Sequence, residues 1–470
     1  MSPSDATPTH PMLRDSELRC FWTDATPFPE PTGPPGAPVE CDLAIVGAGL
    51  TGLWAALHAL RRDPARHVIV FEADRAGSGA STRNGGFADS SLTHGIEQGA
   101  SHFADELATL VALSNDNWDG MRADLAAHGV DAGWEDVGHV AVATESYQLD
   151  ELAAAGELLR EHGEDVSMLD RDAMRAEIDS PTFLGGLWQR SHAALVDPAR
   201  LSFGLRRAVV DAGATLHEHT PITGLRTDGA AVRLDGPWGH ARAGKVVLAT
   251  SAFPPLVRAI RRRVVPVYDY VLVTEPLTPE QRAAIGWARR QGLADSGNQF
   301  HYSRLTADDR ILWGGYDAIY HYGSRVDPTL EDRAATYDLL ARHLAATFPQ
   351  LEGIRCTHRW AGVIDTSTRF SVSFGTSHGG RVAYAVGYTG LGVVASRFGA
   401  RVALALLDEP GSELTRLRFV RRAPFPFPPE PLRWLGITWT RRALARADRR
   451  NGKRGPWLRL LDRFGIGFDS

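Results

Sequence analysis

Between Cys41 and Asp74 the hydrophobic pattern changes period twice. Leu43 to Val46 is a continuous apolar run, as a parallel strand buried on both faces requires. After GAGLTG the apolar residues recur at Leu53, Ala56, Leu57 and Leu60, the spacing of one helical face. A second apolar run follows and closes on Glu72, so the stretch predicts strand, glycine turn, helix and parallel strand. In the turn, Gly47 permits the tight bend, Gly49 lets backbone approach a pyrophosphate, and Gly52 lets the helix pack on the strand, with the diphosphate meeting the helix N-terminus. Glu72 stands about 20 residues beyond Gly52, where an acid hydrogen-bonds ribose hydroxyls. A glycine turn in an ordinary α/β unit is the plainer reading, but strands, helix and acid in one unit point to a bound dinucleotide.

Farther along, ELATLVALSNDNWDGMRADLAAHG and ESYQLDELAAAGELLREHG carry the 3.6-residue period, with WEDVGHVAVAT between them predicted as a strand pair. VVPVYDYVLVTEP and RILWGGYDAIYHYG read as strands on either side of a helix, DRAATYDLLARHLAATF. These alternations predict an α/β (α+β) chain: a Rossmann-type dinucleotide-binding domain interleaved with a β-sheet substrate domain, plus a helical C-terminal tail. The boundaries expected are an arm over 1–39, the binding domain over 40–118, 186–260 and 356–410, the substrate domain over 119–185 and 261–355, and the tail over 411–470. PFPFPPEP marks the entry to the tail. Beyond it, Leu432, Leu435 and Trp439 share one face, and Arg441, Arg442, Arg446, Arg449 and Arg450 lie elsewhere. Docking on its own domain or on a second subunit is expected of this helix ahead of membrane contact. The closing RGPWLRLLDRFGIGFDS is apolar enough to need a packing surface, and it offers one for a homodimer.

Composition narrows the picture. A chain of 470 residues with 43% hydrophobic and 23% charged residues is ordinary for a globular protein of two domains. The net charge of −5 argues against nucleic acid as a partner. Cys20, Cys41 and Cys356 are too scattered for a disulfide framework or a zinc site, and no metal-ligand spacing occurs. With no apolar core near the N-terminus and no run long enough to span a bilayer, a cytoplasmic location is expected.

The run after Glu72, GSGASTRNGGF from Gly77 to Phe87, supplies small residues, Arg83 and the pair Gly85 and Gly86 for a second loop over the cofactor. A simple nicotinamide domain has no use for it. This run resembles the corresponding segment of FAD enzymes of the D-amino acid oxidase (DAO) superfamily. KVVLATSAF, from Lys245 to Phe253, is similar to that family's return strand and turn, and WAGVIDTSTRF with AYAVGYTGLGVVASRFGARVALAL is similar to its C-terminal flavin segment. Phe21-Trp22, VDPARL and YSRLTADDRILWGGYD resemble the γ-glutamylputrescine oxidase branch, with the sarcosine and glycine oxidases near it. The resemblance implies FAD contacts from Gly47, Gly49, Leu50, Thr51, Gly52, Glu72, Ala73, Ser81, Arg83, Asn84, Gly85, Gly86, Phe87, Ile222, Ala249, Thr250, Gly362, Gly387, Thr389, Gly390, Leu391, Gly392 and Val393. It also implies that the late glycines and the helix after them stabilise negative charge on reduced flavin.

Function follows as expectation. No second GxGxxG occurs, so electrons should enter from an organic substrate rather than NAD(P)H. The resemblance implies oxidation of the C–N bond of a small amine (an amino acid, a γ-glutamylated amine or an aminophosphonate) by hydride transfer, with O2 or another acceptor reoxidising the flavin. The alternative is an amine dehydrogenase, or a component passing electrons to a quinone or protein acceptor, docked through its tail. The covalent-flavin cysteine of sarcosine oxidases is replaced by Trp360, with Cys356 close by, so FAD should be noncovalent. Their oxygen-activating lysine is replaced by Trp313; Lys245 and Lys453 are the chain's two lysines. On the substrate side Tyr268, Tyr270, Tyr302, Trp313, Tyr316, Tyr320, His321 and Tyr322 cluster, with Arg304 interleaved. Trp313, Tyr316, Arg304 and Trp360 are the candidates nearest the reacting atoms. Rings could hold an amine by cation–π attraction, and Arg304 could pair with the substrate's anionic end. The plainer reading makes the aromatics core and pairs Arg304 with Asp308 or Asp317. His301, His321 and His358 are read as satisfied rather than as bases.

Overall fold

A computed structural model of the chain describes residues 7–466; the first positions of the arm and the last four of the tail lie outside the described residues. The apolar run around Leu43 becomes the strand Val39–Val46, central in an eight-stranded sheet. It pairs in parallel with Val68–Phe71 and with Gly239–Leu248, and Thr215–His217 and Val382–Val386 extend the parallel set on either side. Leu43, Ala44 and Ile45 are completely buried because helices cover one face, while the hairpin Gly224–Asp228/Ala231–Gly236 and Trp238 help cover the other. Helix Leu50–Arg62 is buried along almost its whole circumference, wedged against Pro198–Asp211 and Ala395–Asp408. VDPARL forms the start of the second of these helices: Asp197 accepts from the backbone N–H groups of Ala199 and Arg200, and Pro198 sits where no N–H is needed.

A nine-stranded sheet forms the other half. Its order runs Glu17–Leu18, Cys356–Ser367, Val264–Thr274, Ile311–Gly315, His301–Leu305, Gly292–Asp295, His139–Ala143, Gly185–Gln189 and Val166–Leu169. Helix Ala334–Thr347 packs Tyr337, Leu340 and Leu344 against Tyr268, Tyr270 and Trp313 on one face. Two boundaries drawn from sequence cut this sheet. Cys356–Ser367 pairs with Val264–Thr274 along its full length, so it is a strand of the substrate sheet, not of the dinucleotide sheet. Gly185–Gln189 likewise pairs with His139–Ala143. WEDVGHVAVAT supplies one strand rather than two; Glu135 makes only an isolated bridge to Leu195. The run AIYHYG leaves the sheet after Gly315 and touches it again at Ile319, opposite Tyr268.

The tail docks on this substrate sheet. Phe427 and Ile437 pack against Val265, Val267 and Tyr320, Arg441 pairs with Asp317 at 2.8 Å, and Asp448 accepts from the backbone of Asn298. Among the described residues no helix is long and apolar enough to cross a membrane.

Candidate functional site

A cavity of about 2250 Å³ is lined by residues of both sheets and of the tail. Its first wall is the early turn. Gly47 holds φ +103, and a Cβ there would lie 2.5 Å from the Ala249 carbonyl, so only glycine fits where the return strand ends. Gly49 has an ordinary φ of −78 and meets just the Ser81 hydroxyl, which accepts from the Leu50 N–H at 3.0 Å. Glu72, just past its strand, accepts from Ala48 N at 2.7 Å and Asp74 N at 3.0 Å, and burial pushes its carboxyl above the usual range. Among the described residues three that line the cavity carry a buried polar atom without a hydrogen-bond partner: Thr250 Oγ1, His94 Nδ1 and Asn115 Oδ1. Burial lowers His94 to about 4, so its ring is neutral.

The late glycine bend forms the opposite wall. Asp365 Oδ2 accepts from Gly387 N at 2.6 Å and Oδ1 from Tyr388 N at 3.2 Å, while Thr389 N donates to the Asp365 carbonyl. Thr389 is held at φ +53, a conformation that costs a non-glycine residue roughly 1 kcal/mol or more. Beyond it a Cβ at Gly390 would meet nothing within 4 Å, and helix Ala395–Asp408 begins. The Thr51 hydroxyl donates to Tyr388 Oη at 2.8 Å, tying the early helix to this bend. Burial pushes Asp365 up to about 7, against the pull of the two backbone donors.

Of the residues expected to hold FAD, all but three line the cavity. Gly52, Gly86 and Gly387 lie behind it and shape it instead. A Cβ on Gly52 would sit 1.8 Å from the Gly47 carbonyl, and one on Gly86 would strike the Val196 carbonyl at 2.3 Å. An open space over a helix N-terminus, a buried acid beside it, orphaned polar atoms on the wall and a second glycine bend together match a long nucleotide whose far end is a flat polar ring.

On the substrate side the structure sorts the aromatic cluster. Tyr268, Tyr302 and Tyr316 line the cavity, Tyr316 at the strained φ of +64. Tyr270 and Tyr320 do not; their hydroxyls bond Leu330 and Glu430, and Tyr322 points to solvent. His321 stacks edge-on against Tyr268, and His358 lies 3.0 Å from Asp24. Three of the four residues placed nearest the chemistry are displaced from it. Arg304 is 2% exposed; its guanidinium donates to the carbonyls of Val196 and Gly86 and to Glu135 at 3.3 Å, so it pairs with neither Asp308 nor Asp317 and is spent on tying elements together. Trp313 is stacked on His301 in the core under the sheet. Trp360 is buried with its indole N–H on the Arg83 carbonyl.

Besides Asp365, two acids that the sequence reading passed over line the cavity. Asp269 accepts from the Tyr302 hydroxyl at 2.5 Å, and burial raises its carboxyl to about 6. A lone carboxylate inside the apolar run VVPVYDYVLVT was the signal. Asp295 accepts from His301 Nδ1 at 2.7 Å, and His301 Nε2 meets His343 Nδ1 at 2.9 Å, an acid–imidazole pair leading inward from the wall. Lys245 is held by Asp408 at 2.8 Å and does not line the cavity.

A protein-family model described as FAD dependent oxidoreductase (DAO) matches residues 42–406. The chain is 28% identical over 393 residues to the γ-glutamylputrescine oxidoreductase of Escherichia coli, covering 83% of this chain and 88% of that one. It is 27% identical over 395 residues to a probable oxidoreductase, OrdL, of Haemophilus influenzae, covering 80% and 85%. The crystal structure of glycine oxidase from Geobacillus kaustophilus superposes with a TM-score of 0.67 at 21% identity, over 82% of this chain and 99% of that one, a likeness of fold. With the match covering residues 42–406, and so both glycine walls of the cavity and all but one strand of the two sheets, the chain belongs to the DAO family of FAD-dependent oxidoreductases, enzymes that act on the C–N bonds of amines and amino acids.

Proposed function

We propose that the protein oxidises a small amine carrying a polar or anionic far end, taking hydride from the carbon next to nitrogen and releasing an imine that hydrolyses to a carbonyl. The observation that carries this reading is the convergence on one cavity of the early turn, the late bend and the wall of Tyr268, Asp269, Tyr302 and Tyr316. Bound FAD would supply the electron sink, held noncovalently through the residues around Gly49, Glu72, Thr250 and Gly390; Cys20, Cys41 and Cys356 stand off the cavity wall. The three tyrosine rings give faces for an ammonium or amine. Because Tyr302 spends its proton on Asp269, its oxygen keeps lone pairs for a substrate N–H. Above about pH 6 the Asp269 carboxylate adds a negative charge that favours a cationic substrate. Asp295 and His301 offer a route for the proton that an ammonium must lose before hydride can leave.

The likeness to γ-glutamylputrescine oxidoreductase supports an amine of that general kind. The test is a panel of γ-glutamylated amines, N-methyl amino acids and aminophosphonates scored by anaerobic bleaching of the flavin. Failure of every amine to bleach it would remove the proposal. A second reading concerns the acceptor. No lysine lines the cavity, which supports an external acceptor in place of oxygen. Adding air to the amine-bleached enzyme decides between them: slow recolouring favours a dehydrogenase, fast recolouring with peroxide an oxidase.

A further inference from the structure

The described residues leave eleven large apolar side chains exposed, and seven of them fall between Phe425 and Phe464. Leu432, Leu435 and Trp439, exposed by 60%, 49% and 62%, also line the mouth of the cavity. Their exposure is not the result of a loose helix. The opposite side of Leu432–Asp448 is seated through Ile437, Arg441 and Asp448, as described above. At three- and four-residue spacing Leu432, Leu435 and Trp439 are continued on the outer side by Arg442 and Arg446, so these two arginines share the apolar face rather than lying elsewhere as the sequence reading has it. The neighbouring short helix, Pro456–Arg463, adds exposed Leu460, and Phe464 just past its end lies 6.4 Å from Phe425, ring to ring. Phe427 N donates to the Arg262 carbonyl, which brings a second apolar and basic run, FPPLVRAIRRR, alongside; its Phe253 is 45% exposed on the same cavity wall.

Charge identifies the occupant. Between Pro431 and Ile466 there are ten Lys and Arg residues against two Asp, in a chain whose net charge is −5. Arg442, Arg446, Arg449, Lys453, Arg459 and Arg463 make no ion pair among the described residues. A twofold interface with a second copy would set these unpaired cations against one another, which disfavours it. Exposed indoles and leucines beside unpaired guanidinium groups, spread over three chain segments, are what the boundary between headgroups and acyl chains accepts.

We propose that this tail surface docks the enzyme peripherally on an anionic lipid bilayer, with the cavity mouth turned toward the lipid. The test is co-sedimentation of the FAD-loaded enzyme with vesicles of phosphatidylcholine alone and of phosphatidylcholine with phosphatidylglycerol. Binding to the anionic vesicles, at least tenfold tighter than to neutral ones and weakened by salt, is expected. The triple substitution Arg442→Glu, Arg446→Glu and Arg459→Glu should lower that binding roughly a hundredfold while flavin content and thermal midpoint stay at wild-type values. Leu460→Ser with Phe464→Ser should weaken it with the same two controls unchanged. Equal affinity for neutral and anionic vesicles, undiminished binding by the triple variant, or a failure to bind at low salt would overturn the proposal. Concentration-dependent dimerisation without vesicle binding would overturn it in favour of a second copy.

Discussion

Gly49 and Gly52 lie three residues apart in one motif, and the structure separates what they do. A Cβ at Gly49 meets only the movable Ser81 hydroxyl at 2.9 Å, at a φ that any residue adopts. Gly49→Val therefore costs the apoprotein little: about 1 kcal/mol if Ser81 gives up its bond to Leu50 N, and about 1 kcal/mol for a poorer helix cap, partly offset by a less flexible unfolded chain. The same side chain fills the space over the helix N-terminus where the diphosphate belongs. Losing two charge-assisted hydrogen bonds there, at roughly 1.5–3 kcal/mol each, lowers FAD affinity by a factor of about 10² to 10⁴. Gly52→Ala differs in kind, because its Cβ would stand 1.8 Å from backbone, the Gly47 carbonyl. Titration of apoprotein with FAD, followed by flavin fluorescence, measures the first effect, and denaturant unfolding of the apo forms measures the second. Gly49→Val should fold and fail to bind, whereas Gly52→Ala should lose stability by several times as much. Wild-type FAD affinity in Gly49→Val would refute the placement of the diphosphate, and unfolding of both variants alike would refute the separation.

Other consequences are open to measurement. Asp269 has a folded pKa raised to about 6 from 3.8, chiefly by burial, so the unfolded chain sheds the proton first and stability falls as pH rises across that window, by roughly 3 kcal/mol in all. Asp269→Asn should flatten that fall, read as denaturant midpoints at about pH 4 and about pH 7; parallel curves for the two proteins would contradict it. Arg304→Met strands the Gly86 and Val196 carbonyls and should cost about 3–5 kcal/mol in unfolding, with the KM for the amine within about twofold of wild type, whereas a large KM change at unchanged stability would restore Arg304 to substrate binding. Asp365→Ala leaves the Gly387 and Tyr388 N–H groups without an acceptor, so FAD should bind more weakly, by roughly tenfold or more, in the same fluorescence titration.

The sequence was most readable where partners are near neighbours in the chain. Turn, helix and acid around Gly49 fall within one βαβ unit, and period alone located them. The late bend was legible through its glycines, but not through Asp365, which holds it from a strand 22 residues earlier. Arg304 was misplaced because an arginine among aromatics reads equally as a substrate hook or a buried tie, and the choice depends on Glu135, 169 residues away. Cys356–Ser367 joins the other sheet for a similar reason: a strand of mixed polar and apolar residues carries no mark of which partner strand it pairs with. The tail's arginines were visible, yet which of its faces stays open depends on where Asp317 and Val265 happen to receive it.

The bond between Thr51 and Tyr388 spans 337 positions of chain. A ribosome therefore releases nearly the whole polypeptide before the second half of the cofactor cradle exists, and nascent chains cannot acquire the flavin piecemeal. Contacts of such long range close late, so the empty cradle is complete only when folding is nearly done. Flavin that binds only this completed fold stabilises it by mass action, so the loaded protein resists unfolding more than the empty one.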